Sequence, residues 1–290
     1  MRSDAMKADQ ATALIRKTRR IHGWFSPEAA MLFAWIDEIQ KSNGLVGDVF
    51  EIGVHHGKTA VFLGVMLDPP REKLAVCDLF GEQSRNVSGS GSGNRHVFER
   101  NLELYLDGSV EVRVFAKSST ELTPEETGRN YRFIHIDGGH SANEALSDLR
   151  FAAGATIEEG VIAVDDPMTP EWPGVAEAIF HFLSSEKRFC AMVAGFNKML
   201  LVRRDCAASY TRHIDREEGR AEYGMTYPWH FKQLPFMNDP LRIFFIPSFV
   251  DRTSIRTKWI RYYQTHRWPK HPMLGPVVSL GKLLLGRNKR

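Results

Sequence analysis

The chain has 290 residues, 43% of them hydrophobic and 25% charged, the proportions of a soluble globular protein with one sizeable core. A formal net charge of +3 gives no electrostatic footprint for nucleic acid. No run approaches the roughly 18 apolar residues of a bilayer-spanning helix, and the charged first twenty residues lack the apolar stretch of a secretory signal. Cys77, Cys190 and Cys206 are too few and too scattered for a disulfide framework or a cysteine zinc site, and they fit a reducing, cytoplasmic setting.

In chain order, Trp24-Phe25-Ser26-Pro27-Glu28 opens a helix with Ser26 as N-cap and Pro27 at its first position, running to about Gln40. It is expected to cover the sheet edge or the substrate mouth. From Gly47 short apolar runs alternate with helical stretches. The strands are expected at residues 48–53 (DVFEIG), 73–80 (KLAVCDLF), 110–115 (VEVRVF), 132–137 (RFIHID) and 161–166 (VIAVDD). Helices fit at 56–67, 97–106, 124–129, 141–153 and 175–184; Ser141 and Glu144 have capping-box spacing, so one helix starts just after His140. Alternation of this kind makes a parallel sheet wrapped on both faces, with ligands beyond the carboxyl ends of its strands. Gly53, Asp78, Asp137, Asp165 and Asp166 all fall at such ends. The last pair of strands, 189–194 and 199–203, is separated only by Gly195-Phe196-Asn197-Lys198, a link short enough for an antiparallel hairpin. Residues 81–94 (GEQSRNVSGSGSGN), just past the second strand, make a candidate lid.

Glu51-Ile52-Gly53-Val54-His55-His56-Gly57-Lys58-Thr59 is a glycine turn between a buried strand and a helix. It lacks G-x-G-x-x-G. It comes near a P-loop, with an apolar strand ending in Asp165-Asp166 as a possible metal-binding acid, but only three residues separate Gly53 from Gly57 where a P-loop needs four. A third reading is a resemblance to the methyltransferase glycine motif, E-x-G-x-x-x-G, in which Gly53 and Gly57 would make room for the methionine part of S-adenosylmethionine and Glu51 would sit at its amino end. A tight structural turn is the plain alternative. Asp78 ends the second strand, where a carboxylate can accept both ribose hydroxyls of a nucleoside.

Residues 47 to about 202 resemble the class I methyltransferases of the Methyltransferase-24 type, and are similar to macrocin-type sugar O-methyltransferases and catechol-type O-methyltransferases. The strings that carry the resemblance are DVFEIGVHHGKTAVFLG, CDLFGEQSRNVSGSGSGN, FIHIDGGHSANEALSDL, VIAVDDPMTPEWPGV and GFNKMLLV. It implies a Rossmann-like α/β fold, with a seven-stranded, mostly parallel sheet closed by a C-terminal antiparallel hairpin and helices on both faces. It also implies S-adenosylmethionine as cofactor and methyl transfer to a small-molecule hydroxyl, with a sugar favoured. Where relatives carry Gly-Asp-Ser after the third strand this chain has Lys117-Ser118-Ser119, which leaves Ser119 for the adenine.

Asp137, Asp165 and Asp166 can present three hard oxygen ligands from adjacent strand ends, a set that suits Mg²⁺ or another divalent cation. Their separation resembles that in metal-dependent O-methyltransferases, where the metal holds the acceptor oxygens. The plain alternative is a helix cap and solvated acids. His140, three residues after Asp137, can take the acceptor's proton near neutral pH, and relatives place His or Lys there. His55 and His56 read as loop histidines.

The chain divides into a helical extension (1–46), the methyltransferase core (47–205) and an extension (206–290) that is aromatic at 228–249 and basic from Arg252, with an apolar stripe at 277–285. That tail is open to docking on the core, to homo-oligomerisation or to contact with an anionic membrane surface. Two rival functions remain at this point, a P-loop-like nucleotide hydrolase and a catalytically inactive methyltransferase-fold binding module.

Overall fold

A computed structural model describes residues 5–224 and 229–246. By contacts the chain divides into Met1–Phe245 and Ile246–Arg290. The second unit lies almost wholly outside the described residues, and so do the basic run and apolar stripe noted in the tail.

The first unit is built on one sheet. Its strands are β1 (Asp48–Ile52), β2 (Leu74–Cys77), β3 (Val112–Phe115), β4 (Tyr131–Ile136), β5 (Thr156–Asp165), β6 (Phe189–Gly195), β7 (Lys198–Arg203), β8 (His230–Phe236) and β9 (Asp239–Phe245). They lie in the order β3-β2-β1-β4-β5-β7-β6-β9-β8. β1 to β5 are parallel, and β7 runs antiparallel between β5 and β6. The sheet therefore has nine strands, not the seven expected. The two extra come from the aromatic segment of the extension. There β8 and β9 form a hairpin around Met237 and Asn238, both at positive φ, and β9 adds in parallel to the edge of β6 at Val193 and Ala194.

The near-continuous apolar runs of β1 and β4 are buried because helices cover both faces. On one face lies α2 (Pro27–Ser42), capped by the Ser26 hydroxyl, which accepts from the Ala29 N–H at 3.1 Å. Its residues from Ala29 to Ile36 are all buried, the pattern of a helix inside a core. Phe33 packs on Phe133 (4.8 Å between ring centroids) and on His135 (5.2 Å). So α2 covers the middle of the sheet rather than its edge or the substrate mouth. On the other face, α6 (Ala142–Ala155) and α7 (Pro173–Ser185) bury Leu149, Phe151, Ile179 and Phe182 against Phe50, Ile134 and Ile162. α6 begins as expected: Ser141 accepts from the Glu144 N–H (3.3 Å) and donates to its carboxylate (2.6 Å). Among the described residues no helix is long and apolar enough to cross a membrane.

One buried ion cluster ties α2 to the sheet. Arg132, at the start of β4 and fully buried, donates to Glu72 from Nε (2.8 Å) and Nη2 (3.1 Å) and pairs with Asp37 of α2 at 2.9 Å. Removing the guanidinium takes away the cation paired with Glu72 and leaves Asp37 to Lys41, 3.2 Å away. Arg132→Met is expected to cost about 3–5 kcal/mol, read as a lower urea midpoint; a loss under about 1 kcal/mol would show that the cluster does not hold the helix.

Candidate active site

The ends of β1, β2, β4 and β5 meet around a cavity of about 430 Å³, within the usual span for small-molecule sites. Its floor depends on two glycines. Gly53 has φ +83°, and a Cβ there would lie 1.8 Å from the Asp137 carbonyl oxygen. A Cβ on Gly138 would lie 2.8 Å from Ile52 Cγ2 and 2.9 Å from Asp148 Oδ2. Only residues without side chains let β1 and β4 end this close together.

Asp78 lines one side. Its Oδ2 accepts the N–H groups of Val54 and His55, both at 2.8 Å, and Oδ1 accepts the Phe80 N–H. Three of a carboxylate's roughly four acceptor positions are in use. Gly53 and Ser119 also line the cavity. Glu51 and Gly57 do not. Glu51 is buried beneath the turn, its Oε1 3.0 Å from His135 Nδ1; burial, with Asp78 and Asp165 nearby, pushes its carboxyl well up although Lys198 opposes. Gly57 (φ +82°) sits at the N-cap of α3 (Lys58–Val65), where a Cβ would meet Phe98 at 2.8 Å. These two shape the turn rather than the cavity wall. Lys58 donates to the Gly23 carbonyl at 3.2 Å instead of reaching over the loop as a P-loop lysine would.

The same cavity is lined by Asp137, His140, Asp165 and Asp166. Burial and the neighbouring Asp165 push Asp137 well above the ordinary carboxylate range, against the pull of Lys198. Burial alone would raise Asp166 too. Hydrogen bonds from His140, Asn197 and Thr169 overcome that and bring it down to about 2. His140 Nε2 lies 3.2 Å from Asp166 Oδ2 and Nδ1 lies 2.8 Å from Ser90 Oγ, with the ring 4.4 Å from that of Trp172. Ligand atoms of Asp137, His140 and Asp166 lie within 4.8 Å of one another, as do those of His135, Asp137 and Asp165. The three aspartates share the site, but Asp165 is drawn toward Lys198, whose ammonium pairs with its Oδ2. The candidate lid, residues 81–94, crosses the cavity: Asn86, Ser90 and Gly91 line it, and Gly93 passes against the Asp78 carboxylate.

Sequence reasoning did not find Lys198 or Asp148. Lys198, 2% exposed, opens β7 directly opposite Asp165 in the β5–β7 register. Asp148 is a lone acid in the buried stripe of α6 that also holds Ala145, Leu149 and Ala152, and that interruption was a legible signal. It is fully buried and faces Ser119 and Gly138. Burial raises its carboxyl to about 7, with the Ser119 hydroxyl pulling partly back.

A mostly parallel sheet with a cavity at its switch point, an acid directly after β2 and a closing hairpin make a Rossmann-like α/β fold. Residues 50–167 match the family model described as a methyltransferase domain, of the Methyltransferase-24 type. Among solved structures, the O-methyltransferase NovP is similar over 60% of this chain and 80% of its own, at 16% identity and a TM-score of 0.51. The O-methyltransferase from Bacillus cereus in complex with SAH is similar over 69% of this chain and 90% of its own, at 16% identity and a TM-score of 0.45. No curated protein matches.

The Asp148 environment sets a pH dependence. A carboxyl raised in the folded state costs no stability at pH 4, near its unfolded value, and costs progressively more up to about pH 7. Asp148→Asn removes that charge while keeping the shape. It is expected to raise Tm at pH 8 and leave Tm at pH 4.5 nearly unchanged; equal losses at both pH values would overturn this reading of the burial.

Proposed function

We propose that the protein is an O-methyltransferase that acts on a hydroxyl of a small molecule, with a sugar as the favoured acceptor class. The observation that carries this is that Asp78 and the His140–Asp166 pair line one and the same cavity. Bound S-adenosylmethionine supplies an electrophilic methyl group. Asp78 would hold one ribose hydroxyl, Gly53 would let the cofactor approach the backbone, and Ser119 would meet the adenine.

Asp166, held anionic, accepts the Nε2–H of His140 and so fixes the tautomer that leaves the Nδ1 lone pair facing the cavity. The Ser90 hydroxyl, 2.8 Å from Nδ1, marks the place of an acceptor hydroxyl once residues 86–93 give way. His140 would then take the acceptor's proton as the methyl passes from sulfur to the acceptor oxygen and S-adenosylhomocysteine leaves. Trp172, packed on the imidazole with its ring tilted by 32°, and Trp24 both line the cavity, where they would help to exclude water from the path. Rate would come mainly from alignment and proton removal.

A divalent cation suits the same cavity. Asp137 is raised by burial beside two like charges, a crowding that a cation relieves. Asp137, Asp165 and Asp166 would hold it, with part of the charge on Asp165 already met by Lys198. When bound, such a cation would lower the pKa of the acceptor hydroxyl.

Calorimetric titration with S-adenosylhomocysteine tests the cofactor half. Binding should weaken about 10- to 100-fold in Asp78→Ala, which loses a charge-assisted hydrogen bond; no binding at millimolar ligand would sink the proposal. His140→Ala should lower kcat about 10²- to 10⁴-fold with cofactor affinity unchanged. Cofactor binding without turnover of any sugar or phenolic acceptor would point to a binding module instead. If the cation takes part, chelation removes activity, added Mg²⁺ restores it, and Asp137→Asn is not restored; activity indifferent to chelator would remove the cation from the scheme.

A further inference from the structure

We infer that His22, His55 and His56 form a second, transition-metal site of Zn²⁺ type, separate from the aspartate wall. Ligand nitrogens of the three imidazoles lie within 4.8 Å of one another. The ring centroids are 3.9 Å apart for His55–His56, 5.1 Å for His22–His55 and 5.5 Å for His22–His56. Zinc–imidazole bonds of about 2.0–2.1 Å require the nitrogens to draw closer than this. His22 is exposed and lies on the short connection before α2, so its ring can swing inward.

The other two ligands are held by their backbone. His55 occupies the left-handed region at φ +50°, an uncommon state for a residue with a side chain. The carbonyl of His56 accepts from Asn101 Nδ2 at 2.8 Å. The segment that carries His22 is already fastened to this turn, because Lys58 of α3 donates to the Gly23 carbonyl. Trp24 packs against both His22 (5.5 Å) and His55 (5.2 Å) and shields one side of the cluster. Burial also lowers the His56 pKa, against a smaller pull from Asp78, which favours the neutral, metal-binding imidazole.

The two sites differ in chemistry. Carboxylates suit Mg²⁺ and similar hard cations, whereas imidazoles suit Zn²⁺, Ni²⁺, Cu²⁺ and Co²⁺. Three protein ligands leave one position open for water or an anion. A bound ion would brace the 19–26 connection against the glycine turn, at the rim of the cavity that Trp24 and His55 line.

The test is titration of the full chain, stripped of metal, with ZnCl₂ in a large excess of MgCl₂, read by calorimetry and by Tm. One zinc ion per chain is expected, with a rise in Tm. His22→Ala and His56→Ala should each weaken binding at least about tenfold and abolish the zinc-dependent rise, while Asp166→Asn leaves both intact. His22 is exposed, so its variant should fold as the parent does. Wild-type affinity in His22→Ala, loss of zinc in Asp166→Asn, or no zinc bound by the parent would each overturn the assignment.

Discussion

Everything at the functional end of this molecule depends on how closely β1 and β4 end. Gly53 leaves no room for even a methyl group beside the Asp137 carbonyl, and Gly138 is similarly hemmed in by Ile52 and Asp148. This crowding brings the turn after β1 and the acid after β4 to the same cavity. It also turns the Val54 and His55 N–H groups toward Asp78 at the end of β2. Three strand ends are thereby tied together by close backbone approach and the Asp78 carboxylate, before any ligand is considered. A side chain at Gly53 would be both strained at φ +83° and sterically impossible without moving β4.

The same strand carries buried charge at both ends. At its start Arg132 is satisfied by Glu72 and Asp37, which anchors α2 across the sheet. At its finish Asp137 has no such cation to itself, because Lys198 pairs with Asp165. The first cluster is closed and serves stability. The second is under-neutralised and opens onto a cavity, where unmet charge can act on a ligand. In between, His135 on β4 faces Glu51 on β1, its register partner. Burial pushes the imidazole's pKa down and the carboxyl's up, so both shifts favour the uncharged forms.

The outline of the fold was legible because each piece had a local cause. The runs ending in Gly53, Asp78, Asp137 and Asp165 read as buried strands, Ser26 and Ser141 read as caps, and the four-residue link at 195–198 required a hairpin. The β8–β9 pair was missed because aromatic residues in an extension say nothing about which sheet edge they join; that depends on β6 being left open. Glu51 looked like a cofactor residue from its spacing, yet a strand's alternation decides which face a side chain takes, and it faces His135. The Asp165–Lys198 pair depends on the β5–β7 register, which no local signal encodes. The ends of strands were readable, and the contacts across them were not.

Asp137 and Asp166 lie at one site with their ionisations pushed in opposite directions. Asp137 is enclosed, beside Asp165, and meets only one distant ammonium. Asp166 sits at φ +55°, half-buried, and collects hydrogen bonds from His140, Asn197 and Thr169. Neighbouring carboxyls separated in this way take different tasks. The raised one holds its proton more tightly than an ordinary carboxyl does, and a nearby positive charge would oppose that shift. The anionic one is ready at neutral pH to orient an imidazole. The residue that allows this division is Asn197, at positive φ in the β6–β7 turn, whose amide donates to both Asp165 (3.1 Å) and Asp166 (2.7 Å). The hairpin that closes the sheet therefore also meets the acids of the cavity, through Asn197 and Lys198, and the fold's last two core strands bear on the candidate site as much as its first.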